Sequence, residues 1–157
     1  MATIYEGMFL LDNQVVRADW ARAKAVITDA LHKHGAKVLT ARRWDERKLA
    51  YTIRGRRRAT YLLVFFELGG DGVNAMRRDF DLDERVLRYL MLGVEALPEG
   101  ELEKSQAELA EGFTVPAPPP DEEAAEEETE VADEAAAPEE MPPEGIDAEV
   151  TAGMEGN

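Results

Sequence analysis

Eight Arg and Lys side chains crowd positions 42–58, namely Arg42, Arg43, Arg47, Lys48, Arg54, Arg56, Arg57 and Arg58, against only Asp45 and Glu46, a net of +6. Seven of the eight are Arg, whose planar fork matches phosphate oxygens two at a time. Trp44 and Tyr51 stand among them as groups able to stack or to pack. The chemistry that suits this composition is capture of a phosphate backbone. Other chemically capable groups are poorly placed. His32 and His34 are two apart, hence on different faces of a helix, with no nearby constellation to make them acid, base or metal ligand. At a helix C-terminus they read as surface residues, where positive charge is favourable. "GGDG" at 69–72 satisfies neither G-x-x-x-x-G-K-S/T nor G-x-G-x-x-G after a strand and reads as a turn. No catalytic residue, metal site or cofactor is expected.

The cationic run is set in a chain whose formal net charge is −15, and the charge divides the chain in two. Residues 1–98 hold 17 Lys and Arg against 13 Asp and Glu, whereas residues 99–157 hold 1 against 20. The second part, with "PAPPPDEEAAEEETE", carries almost no large apolar side chains and cannot bury enough surface to offset its ordering entropy. The domain reading is therefore a folded unit over 1–98 and an acidic, Pro/Glu/Ala-rich disordered tail over 99–157, with at most transient helix in 99–111. There is no Cys, which excludes disulfides and a cysteine nucleophile and fits a reducing compartment. The apolar start "MATIYEGMFLLD" is broken by Glu6 and Asp12 and lacks a basic lead-in, so neither a signal peptide nor a membrane span is expected.

Six elements must position the cationic run. Residues 3–11 are a short apolar run of strand length, ended by Asp12 and Asn13. Val16, Trp20, Ala23, Ile27, Ala30 and Leu31 then recur in steps of about three and four along one helical stripe, and Gly35 supplies a left-handed C-cap. Residues 37–53 and 59–68 are β-rich and separated by "RGRRR", the tip of a long hairpin. Asp71 is placed to cap a second helix carrying Val73, Met76, Arg77 and Phe80 on one face, and "RVLRYLMLGVE" closes as a last strand. The order strand, helix, strand, strand, helix, strand predicts an α+β, ferredoxin-like fold: a four-stranded antiparallel sheet with two helices on one face.

That arrangement leaves the other sheet face without helices. In the strand at 59–68, Leu62, Val64, Phe66 and Leu68 point one way and Tyr61, Leu63, Phe65 and Glu67 the other. A sheet open to water on one side alternates apolar with polar, so a second apolar face predicts that something packs there. Tyr61, Leu63 and Phe65, with Tyr51 and Leu90, are the expected partner-binding residues. Cover by the segment after Pro98, or self-association, is the competing account.

The words of the sequence carry a resemblance. "YEGMFLLD", "RRWDERKLAYTI" and "VLRYLML", in that order and spacing, resemble the bacterial small-subunit ribosomal protein S six (S6) family over roughly residues 3–95. The resemblance implies a non-catalytic, cytoplasmic component of the small ribosomal subunit that binds the central domain of its rRNA together with ribosomal protein S eighteen (S18). It transfers an RNA- or partner-facing role to Arg47, Lys48, Arg88 and Tyr51. Thr52 stands where many members carry proline, and the acidic tail exceeds the usual short C-terminus. No membrane and no small-molecule substrate is implied. An RRM shares the fold order, but "RATYLLVF" puts Thr60 and Leu62 at its two main stacking positions. The alternative function is a ferredoxin-like ligand-sensing or dimerisation domain unconnected with the ribosome.

Overall fold

The structure is a computed structural model and describes residues 1–119. Strand β1 (Ala2–Asp12) turns Phe9 and Leu11, both essentially inaccessible, toward the helices. The Asp12 carboxylate accepts the Gln14 amide at 2.9 Å and starts α1 (Asn13–Ala18). The single helix expected through Val16 and Leu31 is interrupted. Asp19 is extended (φ −166°, ψ 114°), and its side chain accepts the Arg22 amide at 3.1 Å, capping a new helix, α2 (Trp20–Lys33). A short carboxylate that can bond nearby amides competes with continuous helix, and here the competition wins. Helix α2 buries Ala23, Ile27 and Leu31. It ends as expected at Gly35 (φ +79°), where the Ala36 N–H returns to the Leu31 carbonyl at 3.0 Å.

Strands β2 (Lys37–Ile53) and β3 (Arg56–Gly69) are joined by a turn of only two residues, Arg54 (φ +49°) and Gly55 (φ +78°). Positive φ at both positions gives the primed turn that matches strand twist. Arg56, Arg57 and Arg58 are therefore strand residues, not loop, with Ile53 paired to Arg56 and Lys48 to Arg58. Helix α3 (Gly70–Leu82) starts from Gly69 with no side-chain cap, so Asp71 lies in the first turn rather than at the cap. Strand β4 (Val86–Val94) completes a sheet of order β2-β3-β1-β4, every pair antiparallel. Helices α2 and α3 bury Ile27, Leu31, Met76 and Phe80 with Phe9, Leu62, Val64 and Phe66 in one core. This is the ferredoxin-like arrangement. His34 is not a surface residue: its Nε2 lies 2.8 Å from Asp79 of α3, beside the Lys33–Asp79 pair at 2.6 Å, tying the end of α2 to α3.

The C-terminal part departs from the disorder expected of all of 99–157. Residues Glu101–Leu109 form a helix, α4, packed against β2. Its buried residues are Glu101 and Ser105, so it docks through polar groups. A search for apolar periodicity is blind to that. Most of the proline- and glutamate-rich run expected to be disordered lies outside the described residues.

Candidate nucleic-acid interface

The hairpin that carries the cationic run is held by its own carboxylates, and these divide the arginines into two groups. Arg58 points to the helical side of β3 and meets Glu46 with both fork nitrogens, at 2.8 and 3.1 Å. The two side chains are 17 % and 8 % exposed, and Asn13, itself bonded to Thr60 at 2.8 Å, also donates to Glu46. Arg56 donates to Asp12 at 3.0 Å and to Gln14 at 2.8 Å. Arg42 grips Glu101 bidentately at 2.7 and 2.8 Å. Arg43 is half-buried, and its Nε has no hydrogen-bond partner among the described residues. The structure therefore commits Arg42, Arg56 and Arg58, all expected to face RNA, to intramolecular ion pairs. Local charge counting cannot see this, because Glu101 and Asp12 are distant in sequence.

The second group faces solvent. Arg47 is 56 % exposed, pairs with Asp45 at 2.7 Å and lies over the Trp44 ring at 4.7 Å. Arg54, at the turn, donates to the Val86 carbonyl at 3.3 Å. Arg88 of β4 is exposed, lies over the Tyr51 ring at 5.3 Å and donates to the Tyr51 hydroxyl. Lys48 is exposed and Arg57 half-buried. The hairpin end thus curls to β4, with Leu49, Ala59 and Leu87 forming a small second core with Tyr61 and Leu10 beneath it. Arg54 and Arg88, joined by Arg77, also line a cleft of about 430 Å³ beside β4. Sequence reading set Arg77 on the shared face of its helix with Val73, Met76 and Phe80 and did not count it among the RNA-facing cations. In the same cleft, burial and the Asp81 carboxylate push the Tyr89 hydroxyl up to about 12, so it stays a neutral donor to Asp81 at 2.8 Å.

The helix-free face is less open than its sequence pattern implies. Tyr51 and Leu90 are 58 % and 57 % exposed, and Tyr61 is half-buried against Trp44. Leu63 and Phe65, however, are 6 % and 2 % exposed, which removes them from any surface offered to a partner in this conformation. Topology supplies the cover. Strand β4 lies at one edge of the sheet and α4 contacts β2 at the other, so residues 95–100 have to cross between them. With one face taken by α2 and α3, the crossing falls on the other face. Glu101, at its end, pairs with Arg42, which stands opposite Leu63 in the register.

Helix α4 seals the β2 edge with one polar stripe. Ser105 Oγ accepts the Ala41 amide at 3.2 Å and donates to the Ala41 carbonyl at 3.3 Å. Glu108 accepts the Arg43 amide at 2.5 Å, the Trp20 indole at 3.0 Å and Lys24 at 2.9 Å. An edge strand left bare is a template for aggregation, and this stripe satisfies its outward groups. The Arg42 guanidinium holds the Glu101 carboxyl below its ordinary value of 4.5. Docking is therefore fully favoured above that value and is lost as pH falls through the depressed one. Acidification from about pH 6 to well below the ordinary value of 4.5 should release α4, seen as a change in Trp20 emission in a Trp44→Phe background before the global unfolding transition. Emission that changes only together with global unfolding would refute the coupling.

Comparisons with known proteins bear on the family and the fold. The family described as Ribosomal protein S6 matches residues 4–92. The small ribosomal subunit protein bS6 of Chlamydia muridarum is 32% identical over 98 residues, covering 61% of this chain and 86% of the relative. That of Rhodopirellula baltica is 33% identical over 114 residues, covering 72% of this chain and 79% of the relative. The crystal structure of 30S ribosomal protein S6 from Thermotoga maritima superposes with a TM-score of 0.54 at 18% identity, over 69% of this chain and 98% of the other, a likeness of fold. The chain belongs to the ribosomal protein S6 family and is a structural, non-enzymatic protein of the small ribosomal subunit, acting on the ribosome in the cytoplasm.

Proposed function

We propose that this chain binds the central domain of small-subunit rRNA jointly with ribosomal protein S18. The observation that carries the reading is that Arg47, Arg54 and Arg88 are all exposed, Arg47 over the Trp44 ring, Arg88 over the Tyr51 ring and Arg54 at the turn that reaches β4. These arginines neutralise phosphates and set register, which gives affinity and a steep salt dependence but no base code. Arg88, Leu90 and, at 51 % exposure, Leu92 alternate onto one face of β4 beside Tyr51. That strip, with Tyr61, is the seat for S18; Leu63 and Phe65 join it only if the 95–100 crossing moves. A two-protein surface presents more positive charge than either protein alone. Filter binding of an rRNA central-domain fragment should therefore be weak with this chain alone and much tighter with S18 added. Equal affinity with and without S18 would overturn the joint mechanism. Absence of binding to the central-domain fragment even with S18 present would overturn the reading itself.

A further inference from the structure

The groups of the folded domain that face the C-terminal segment are nearly all donors. Glu108, only 4 % exposed, receives the Trp20 indole, the Lys24 ammonium and the Arg43 amide. Glu101 receives the Arg42 fork, and the Arg17 fork closes on the Pro118 carbonyl at 3.1 and 2.6 Å. Three donors from α2 and β2 converging on one carboxylate make a built oxyanion site, and a fork on a second carboxylate makes another. Glu101 and Glu108 are two helical turns apart, roughly 10 Å along the axis.

The mode of attachment also says what the seat is suited to. Leu102 and Leu109 of α4 are 50 % and 74 % exposed, so the helix is held by its carboxylates and Ser105 rather than by apolar burial. A protein helix seated in a groove relies on apolar anchors. Backbone phosphates are instead met by guanidinium forks, ammonium groups, amides and side-chain N–H donors of the kind assembled here. The seat runs along β2, the strand that farther on carries exposed Arg47.

We infer that the surface formed by Arg17, Trp20, Lys24, Arg42 and the Arg43 amide is a second phosphate-backbone site, which α4 and the chain through Pro118 occupy as an internal anionic competitor until RNA displaces them. The inference rests on the RNA-binding reading above. It gives the arginine that charge counting placed on RNA, Arg42, a role in the bound state even though it is paired in the unbound one.

The test compares two charge reversals in the full-length chain, each read with S18 present against the rRNA central-domain fragment across roughly 50 to 200 mM salt. Glu101→Lys with Glu108→Lys breaks the contact. Glu103→Lys with Glu111→Lys changes the net charge equally at exposed positions. The first protein should bind about tenfold more tightly than the second, with a salt slope steeper by about 2. Adding Arg42→Gln and Lys24→Gln should remove the excess. Should the first reversal fail to fold, Glu108→Gln alone should give a smaller gain of the same sign over Glu111→Gln. Equal affinities of the paired variants overturn the competitor role and leave the RNA reading standing, whereas absence of binding even by the unmodified chain with S18 overturns both.

Discussion

Replacing Arg47, Arg54 and Arg88 together by Gln should weaken binding to the rRNA fragment by at least about a hundredfold at moderate salt and lower the salt slope by about 2 to 3. The size follows from counterion release. Each lost phosphate contact removes close to one unit of slope, and the three guanidiniums lie at one end of the sheet where a single backbone can reach them. Their intramolecular bonds are surface bonds: a pair with Asp45 on the same strand, one to the Val86 carbonyl, and a stack on Tyr51. Such contacts contribute little to stability, so urea unfolding should shift by no more than about 1 kcal/mol. A slope that stays the same in a salt series would place the RNA elsewhere on the molecule.

Glu46→Ala should do the opposite, costing about 3 kcal/mol of stability or more. It removes the carboxylate that faces the largely buried Arg58 fork, and it takes an acceptor from Asn13, whose carbonyl serves the fully buried Thr60. Taking one member from a desolvated pair costs more than the pair contributes, because the desolvation of the other is still there. Glu46→Leu combined with Arg58→Met should recover much of the loss, since an apolar pair of similar volume carries no buried charge. Chemical denaturation of the three proteins decides it. A loss below about 1 kcal/mol for Glu46→Ala would show that water enters the site and solvates the fork. Taken with the triple Gln variant, this separates arginines that bind from arginines that build, a division invisible in a run where all eight cations look alike.

Much of the fold was legible in the residues. The apolar stripe of Ala23, Ile27 and Leu31, the alternation from Leu62 to Leu68 and the left-handed glycine at 35 each act over a few neighbours, and the structure keeps them. The errors fall where a local group had a competing choice. Asp19 caps a helix instead of sitting within one, and Gly55 with Arg54 closes a tight turn that returns Arg56–Arg58 to the strand. The family resemblance was likewise legible, because "RKLAYTI" and its flanking words lie close together in the chain.

By itself, then, the sequence determined the order of the four strands and the two core-covering helices, the core-facing positions and the concentration of guanidiniums on one hairpin, since periodicity and charge density are properties of short stretches. Only the tertiary structure decided which guanidiniums remain available. Asp12 reaches Arg56 across 44 positions, Glu101 reaches Arg42 across 59, and Glu108 reaches the Arg43 amide across 65. The pairing of a charge depends on distance in space, and chain separation carries almost no information about it until the sheet has brought β1, β2 and the C-terminal helix together.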